Sequence, residues 1–184
     1  MSDVIRLAAE FVDIPSVSGE EQCFAERVAV ECERMGCVVT RQEAAPSRFN
    51  LYASKTRSPR VIFCSHLDTV PPFFGARLQK EILYGRGACD AKGIIAAQLT
   101  AGKKLFDEGV EDIAFLYLVG EEVDHIGARK ALELGIKVPY LVIGEPTELK
   151  MARGSKGIVK CSIQTAGRKA HSAYPERGES AVLK

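Results

Sequence analysis

The sequence predicts a fold of the α/β class, with a mixed, mainly parallel central sheet flanked by helices. Three observations support this prediction. Strand-like and helix-like stretches alternate through the middle of the chain, in the order strand, helix, strand, helix, strand. The stretches Ile113–Val119 and Tyr140–Ile143 are almost wholly apolar, as strands buried on both faces are. A chain of 184 residues that is 46% apolar can also bury a core of this kind.

The predicted elements begin with two helices. Apolar residues recur with helical spacing through Ser2–Asp13, and a second helix is predicted up to Gly36. Ser18 and Glu21 have the spacing of a capping box at the start of that second helix. The remaining predicted elements are strands at Cys37–Arg41, Asn50–Ala53, Val61–Cys64, Ile113–Val119 and Tyr140–Ile143, an extended run at Arg77–Tyr84, and helices at Lys92–Phe106 and Ala128–Leu134.

The character of the chain changes near Ala152, which predicts a domain boundary. Residues 1–151 form the first predicted domain, and residues 152–184 form the start of a second. In this second part, Lys156–Thr165 alternates polar and apolar residues, as a strand with one solvated face does, and a helix is predicted to start near Gly178–Ser180. The second domain is therefore expected to be truncated.

Composition excludes several classes of function. The formal net charge is +1 and charges of both signs are interspersed, so neither nucleic acid nor an anionic membrane is an expected partner. The first residues lack the basic and apolar regions of a signal peptide, and no apolar run approaches the roughly 20 residues of a membrane span. We expect a cytoplasmic protein whose six cysteines are reduced and hold no structural zinc.

Four short runs of metal-binding residue types each follow a strand-like stretch. Such residues converge at the carboxyl ends of the strands in an open α/β sheet. One imidazole and three carboxylates form a mixed nitrogen and oxygen set that suits zinc, cobalt or manganese. A two-metal hydrolase is therefore the leading interpretation. The runs are His66–Asp68, Gly87–Asp90, Gly120–Glu122 and Gly144–Thr147.

Each run also has a simpler interpretation. If the chain stays extended after its strand, His66 and Asp68 point the same way, and Asp68 can hold one imidazole nitrogen while the other meets a metal. The alternative is an ordinary turn with a surface aspartate. Glu121 and Glu122 can supply a general base and a ligand, or they can belong to a solvated acidic turn, and the second alternative applies equally to Glu145.

Asp90 lies in a glycine-rich turn that leads into a predicted helix. A carboxylate in this turn can bridge two metals, because the glycines let the backbone approach an ion closely. Gly85 and Gly87 also start a pattern typical of a dinucleotide-binding loop. The sixth position of that pattern is Asp90 rather than glycine, and its carboxylate would repel a pyrophosphate. This disfavours nucleotide binding.

Taken together, these motifs closely resemble the two-zinc hydrolase family of acetylornithine deacetylase, succinyl-diaminopimelate desuccinylase, aminoacylase and glutamate carboxypeptidase. The resemblance spans nearly the whole chain. It implies that His66 and Glu145 bind one zinc, that Glu122 binds the second, and that Asp90 bridges them. It also implies that Glu121 is the general base and that Asp68 orients His66. The segments that match are Ser65–Pro71, Gly85–Gly93, Gly120–Glu122 and Gly144–Thr147.

The resemblance further implies a reaction and partners. A water activated by two Zn²⁺ ions, or by Co²⁺ or Mn²⁺, would attack the amide carbonyl of an N-acyl amino acid or a short peptide. The run Gly167–Pro175 resembles the start of the family's lid domain, whose histidine, here His171, would reach the site of a neighbouring subunit. The full-length protein is then expected to be a homodimer that acts in amino-acid metabolism, such as arginine or lysine biosynthesis.

The chain departs from the family's pattern in its length. Family members are about twice as long, and their remaining zinc-ligand histidine lies in a region beyond residue 184. We favour a fragment of a longer polypeptide over a shortened protein. Glu145 slightly favours deacylases over the aminopeptidases and dipeptidases of the family, which tend to have aspartate in that loop. Two alternatives stay open: a di-, amino- or carboxypeptidase of the same family, and a non-catalytic metal-binding fragment.

Overall fold

A computed structural model describes residues 2–154, 156–157, 159 and 161–183 of the chain. They divide into two compact units, one within residues 1–149 and the other within residues 150–184. Among the helices described, none combines the length and the apolar character that crossing a bilayer requires.

The first unit contains all the regular helices and strands, most of them within a few residues of the predicted bounds. The extended run at Arg77–Tyr84 is a two-stranded hairpin, and the helix predicted at Ala128–Leu134 is a short helix followed by a 3₁₀ turn at Leu132–Leu134. The elements are α1 Asp3–Val12, α2 Gln22–Arg34, β1 Val38–Ala45, β2 Arg48–Ser54, β3 Val61–His66, β4 Arg77–Gln79, β5 Ile82–Tyr84, α3 Lys92–Asp107, β6 Ile113–Leu118, α4 Ile126–Ala131 and β7 Tyr140–Ile143.

The main sheet has five strands in the order β1-β2-β6-β3-β7. β3 pairs in parallel with both β6 and β7, whereas β2 is antiparallel to both β1 and β6. Four of the five strands therefore run in the same direction, and only β2 is reversed. This confirms the predicted mixed, mainly parallel sheet flanked by helices.

The main core lies between one face of this sheet and the first three helices. Phe11 of α1 and Phe24 of α2 meet edge to face, with ring centroids 5.3 Å apart. They belong to one buried cluster with Leu51, Ile95 and Phe115, which come from β2, α3 and β6. Burial of each such side chain contributes roughly 1.5–3 kcal/mol. This packing fixes the position of β3 and β6 and of the residues that follow them.

The prediction that β7 is buried is wrong. Its side chains are exposed, with 66% of Tyr140 and 46% of Val142 accessible. β7 forms the edge of the sheet and pairs only with β3 among the described residues. The apolar pattern predicts the strand but not its place in the sheet. Ile113–Leu118, with an equally apolar pattern, is flanked by β2 and β3 and is largely buried.

The predicted capping box at the start of α2 is also wrong. The helix begins at Gln22, and no side chain caps its first turn. The hydroxyl of Ser18 donates instead to Asp68, and the carboxylate of Glu21 pairs with Arg48. Contacts with distant parts of the chain have replaced the local hydrogen bonds of a cap.

The second unit differs from its prediction. The strand expected at Lys156–Thr165 includes residues 158 and 160, which lie outside the described residues, and the described residues of this range form no strand. No helix starts in Gly178–Ser180. The described regular features are a 3₁₀ turn at Pro175–Arg177 and an isolated bridge between Arg168 and Glu179.

Asn50 joins β2 to the end of β6 and to α4, and we predict that its replacement destabilises the fold. It is fully buried, accepts a hydrogen bond from Val119 N at 3.1 Å and donates to the main-chain oxygen of Gly127 at 2.8 Å. Asn50→Ala leaves the buried amide of Val119 unpaired and removes the hydrogen bond to the Gly127 carbonyl, which is expected to cost about 2–4 kcal/mol. Urea unfolding of the metal-free chain measures this loss.

A surface amide provides the control for this measurement. Gln79 in β4 is exposed, so Gln79→Ala is expected to change the free energy of unfolding by less than about 0.5 kcal/mol. Equal unfolding midpoints for the Asn50 and Gln79 variants would show that Asn50 does not hold the end of β6 in place.

Candidate metal centre

The carboxyl ends of three parallel strands meet at one edge of the sheet. β6 and β7 lie on either side of β3, so the residues that follow each strand are neighbours. Main-chain hydrogen bonds continue this alignment past the strands, from Leu67 N to Leu118 O at 2.7 Å and from Gly144 N to Cys64 O at 2.8 Å. Three of the four predicted ligand runs are therefore brought together here.

His66 is the centre of the cluster. Its side chain is 2% exposed, and its Nε2 lies 2.8 Å from Oδ1 of Asp90 and 3.9 Å from Oε2 of Glu145. One ligand atom from each of His66, Asp90 and Glu122 lies within 4.8 Å of the others, the one group of this kind in the described part of the chain. Nδ1 lies 2.9 Å from the main-chain oxygen of Asp68. Because a carbonyl only accepts, Nδ1 carries a proton, and Nε2 is the nitrogen that would meet a metal once it is deprotonated.

Asp68 contacts His66 chiefly through its main-chain oxygen and only secondarily through its carboxylate. Its carboxylate Oδ1 lies 3.5 Å from Nδ1, farther than its main-chain oxygen. The carboxylate instead accepts hydrogen bonds from the amides of Glu121 at 2.9 Å and Glu122 at 3.1 Å, and from the Ser18 hydroxyl at 2.7 Å. Burial opposes ionisation, but the contact of the carboxylate with the His66 imidazole and these three hydrogen bonds outweigh it and lower the pKa of Asp68 to about 2.

The fourth run places Asp90 in the turn between β5 and α3. Its side chain is 46% exposed and reaches His66 from that turn. The turn needs glycine at Gly93, because a Cβ there would lie 2.1 Å from the main-chain oxygen of Ala88. The peptide bond between Asp90 and Ala91 is cis. The turn between β5 and α3 places the carboxylate of Asp90 beside His66 at the edge of the sheet.

The carboxylates at this edge repel one another. The pKa of Glu122 is raised by partial burial and then by the nearby charge of Asp90, and the pKa of Glu145 is raised by the same two causes. The charge of Glu121 raises both further, whereas the positive charge of His66 lowers both. Four carboxylates therefore share one imidazole, and the cluster has an excess of negative charge.

The cluster also changes the ionisation of His66. Burial lowers the pKa of its imidazole, but the hydrogen bonds to Asp68 and Asp90 outweigh burial and raise it to about 10. In the metal-free chain the ring is therefore protonated near neutral pH. A proton thus occupies the position that a divalent cation would take, and the nitrogen and oxygen donors around it suit zinc, cobalt or manganese. The residues present fit such an ion.

Ser18 is a residue of this site that the sequence motifs do not reveal. The preceding helix and the spacing to Glu21 are the signals of a cap, and nothing in the sequence separates a capping serine from one that binds a distant carboxylate. Only the pairing of the loop with Thr69, through Ser18 N to Thr69 O at 3.2 Å, brings the hydroxyl to Asp68.

His171 lies in the second unit. Its Nδ1 accepts a hydrogen bond from Ala173 N at 3.1 Å, and its ring contacts that of Tyr174. The turn that holds it is formed by residues 171–174, with a further hydrogen bond from Tyr174 N to His171 O at 2.8 Å. The side chain is exposed.

Residues 62–183 match the sequence profile of peptidase family M20/M25/M40. The chain belongs to this family. Membership confirms the resemblance inferred from the motifs, since the matched range contains all four ligand runs. Proteins of peptidase family M20/M25/M40 are hydrolases that act on amide or peptide bonds.

Two relatives within the family cover almost the whole chain. A peptidase M20 domain-containing protein of Schizosaccharomyces pombe is 35% identical over an alignment of 189 positions, and the alignment covers 98% of this chain and 47% of the relative. A probable carboxypeptidase of Emericella nidulans is 35% identical over an alignment of 208 positions, which covers 98% of this chain and 49% of the relative. The chain thus spans about half the length of these relatives.

Solved structures of family members share its fold. A tripeptidase from Staphylococcus aureus aligns with a TM-score of 0.68 and 22% identity over 98% of this chain and 53% of its own. A metallo-carboxypeptidase from Sulfolobus solfataricus aligns with a TM-score of 0.69 and 22% identity, over 78% of this chain and 37% of its own. A dinuclear metal-binding peptidase from Bacillus subtilis aligns with a TM-score of 0.55 and 17% identity, over 72% of this chain and 38% of its own. At these identities the likeness shows the fold alone.

Proposed function

We propose that this chain carries the metal-binding part of a hydrolase that cleaves the amide bond of an N-acyl amino acid. The observation that supports this most directly is the convergence of His66, Asp90 and Glu122 within 4.8 Å, with Glu145 beside His66. In this proposal residues 1–151 form the catalytic domain and residues 152–184 begin a lid. The active protein is proposed to be a cytoplasmic homodimer.

Two divalent ions are proposed as cofactors, with zinc first and cobalt or manganese as alternatives. His66 and Glu145 would hold one ion, Glu122 would hold the other, and Asp90 would bridge them. When bound, such a pair supplies Lewis acidity that polarises an amide carbonyl and makes water a better nucleophile. The structural neighbour from Bacillus subtilis is described as dinuclear, which supports a pair rather than a single ion.

The chain's own residues then have separate tasks. Glu121 removes a proton from the attacking water and later returns it to the leaving amine, so that a carboxylic acid and a free amine are released. Asp68 holds the amides of Glu121 and Glu122, which keeps the base and the ligand at fixed positions in one turn. His171, on the lid, is proposed to donate a hydrogen bond to the carbonyl oxygen as it gains negative charge, in the site of a neighbouring subunit.

A carboxypeptidase is the second candidate, and the name of the Emericella nidulans relative favours it. The two activities are chemically close. The last peptide bond of a peptide also joins an acyl group to an amino acid with a free carboxylate. The candidates therefore differ in the acyl group, which is acetyl or succinyl in one case and peptidyl in the other.

Calorimetric titration of the metal-free chain with Zn²⁺ tests the proposal first. The proposal expects tight binding at the His66 cluster, and two ions per chain would mean that the described ligands suffice for both. One ion would mean that a ligand outside the described residues completes the second site. A chain that binds no zinc would contradict the proposed function.

Hydrolysis then separates the two candidates. The substrates are an N-acetyl amino acid and a dipeptide that ends in the same amino acid, offered to the 184-residue chain and to longer polypeptides that contain it. A preference for the acetyl compound supports the deacylase, and a preference for the dipeptide supports the carboxypeptidase. Zinc binding without hydrolysis of either would support the non-catalytic alternative.

Zinc binding is expected to release a proton from His66. Because the pKa of His66 is raised to about 10, the metal-free ring is protonated at pH 7 and must lose that proton to bind an ion. Titration in buffers with different ionisation enthalpies is expected to show about one proton released per chain, and apparent affinity is expected to rise about tenfold per pH unit between pH 6 and 8. An affinity that does not change over this interval would contradict a protonated His66.

A further inference from the structure

The short segment that joins α1 and α2 lies beside the candidate metal centre. Its residues Ser18 and Glu21 have the spacing of a capping box but do not cap α2. Both side chains contact distant partners instead, and each partner reaches the turn Gly120–Asp124, which follows β6 and contains Glu121 and Glu122. The segment Ser18–Glu21 therefore has two separate connections to one functional turn.

The first connection runs through Asp68. The Ser18 hydroxyl donates to Oδ2 of Asp68 at 2.7 Å, and this same oxygen accepts the amide of Glu122 at 3.1 Å. The other carboxylate oxygen accepts the amide of Glu121 at 2.9 Å. Because Asp68 is fully buried, no water competes for its oxygens, and these donors fix the plane of the carboxylate. Loss of the Ser18 hydroxyl would leave that plane less restrained.

The second connection runs through Arg48. Glu21 is fully buried and pairs with Arg48 in a two-pronged arrangement, with Oε2 to Nε at 2.9 Å and Oε1 to Nη2 at 2.7 Å. Nη1 of Arg48 lies 3.9 Å from Oδ2 of Asp124. A Cβ at Gly120 would lie 2.8 Å from Nη2 of Arg48, so the guanidinium lies directly against the start of the turn. The two connections thus reach the middle and both ends of the turn.

The main chain fixes the segment in this place. Ser18 N donates to Thr69 O at 3.2 Å, and Thr69 N donates to Ser16 O at 2.9 Å. Val17 and Thr69 form an isolated parallel bridge. The main chain of Ser18 therefore cannot move away from Asp68 without breaking these hydrogen bonds, and the Ser18 side chain stays within reach of the Asp68 carboxylate.

We propose that the Ser18–Glu21 segment positions Glu121 and Glu122, with Ser18 and Glu21 as positioning residues for the divalent-cation site. Neither side chain is a ligand of the ions in this proposal. They act through Asp68 and Arg48, which hold the turn. The consequence for cation affinity rests on the proposed function, whereas the effect on the turn itself does not.

Ser18→Ala tests the proposal, and Ser16→Ala is a matched control in the same loop. The hydroxyl of Ser16 is buried without a hydrogen-bond partner in the described part of the chain, so its removal leaves Asp68 untouched. Hydrogen exchange of the Glu121 and Glu122 amides is measured first, in the metal-free chain. We expect Ser18→Ala to exchange these two amides about tenfold faster, with the Ser16 variant unchanged.

Amides in the middle of β6 serve as an internal reference, because a fall in global stability would speed their exchange as well. The dissociation constant for Zn²⁺ is measured next, and Ser18→Ala is expected to raise it about tenfold, as loss of groups that orient metal ligands does. Ser18→Thr keeps the hydroxyl and is expected to restore both the exchange rates and the zinc affinity.

Three results would overturn the proposal. The first is equal exchange of the two amides in the Ser18 and Ser16 variants. The second is faster exchange of the Glu121 and Glu122 amides in Ser18→Ala with an unchanged zinc affinity, which would mean that the segment stabilises the turn without affecting the cation site. The third is a failure of the threonine variant to restore either property. A native chain that binds no zinc would contradict the proposed function instead, and the exchange rates would still decide whether the segment positions the turn.

Discussion

Glu121→Gln is expected to reduce hydrolysis by at least about 10²-fold while the zinc affinity is retained, because general bases contribute 10²–10⁴-fold. Glutamine has nearly the size of glutamate but cannot take a proton from water. The contacts that hold the turn remain, since Asp68 binds the main-chain amide of Glu121 and not its side chain. Rates are measured on whichever polypeptide containing this chain shows hydrolysis, and zinc affinity is measured by calorimetry on the same variant.

Glu108→Gln provides the control, because Glu108 is exposed and caps the C-terminal end of α3, whereas Asp90 precedes the N-terminal end of this 16-residue helix. Glu108→Gln is expected to change neither the rate of hydrolysis nor the affinity for zinc. Lost zinc in the Glu121 variant would mean that Glu121 is a ligand, and an unchanged rate would mean that another group is the base.

Asp90→Ala is expected to weaken both zinc ions together, by more than about 100-fold, since even the groups that merely orient ligands cost 10–100-fold. Asp90 is the carboxylate nearest to His66. Its charge repels the carboxylates of Glu122 and Glu145 more strongly than any other group does and raises the pKa of both. Its removal takes away a shared ligand and, in the metal-free chain, relieves the repulsion. We therefore expect the stabilisation of the chain by added zinc to disappear, whereas in the metal-free chain the lost hydrogen bond to His66 and the relieved repulsion act in opposite directions. Thermal unfolding with and without zinc measures both effects.

An aspartate on the surface of α3 provides the comparison. Asp107 is 64% exposed and pairs with Lys103 one turn earlier, so Asp107→Ala is expected to leave zinc stabilisation intact. Loss of one ion with retention of the other in the Asp90 variant would contradict the bridging role. Calorimetric stoichiometry separates that result from the loss of both.

Much of the fold could be predicted from the sequence, because the relevant signals are local. The apolar periodicity of α1 and α3 and the apolar runs of β3 and β6 depend on residues a few positions apart, and they gave elements close to those observed. The placing of the candidate ligands was predictable for a similar reason. Each follows a strand, and parallel strands bring their carboxyl ends to one edge of a sheet.

Burial and partner choice could not be predicted in this way. Tyr140–Ile143 and Ile113–Val119 are equally apolar, but only the second has a strand on each side. The alternation of polar and apolar residues at Lys156–Thr165 is also a local signal. It predicts a strand but does not specify a partner strand, and the described residues of this range pair with none.

The sequence by itself determined the family, the mixed sheet and the residue types gathered at its edge. Only the tertiary structure decided that the main-chain oxygen of Asp68 holds the imidazole of His66, and that the carboxylate of Asp68 holds the Glu121–Glu122 turn with the help of Ser18. The physical reason is that a hydroxyl or carboxylate binds whichever buried partner lies within hydrogen-bond distance. For Ser18 that partner is 50 residues away in the chain, beyond the reach of any local pattern.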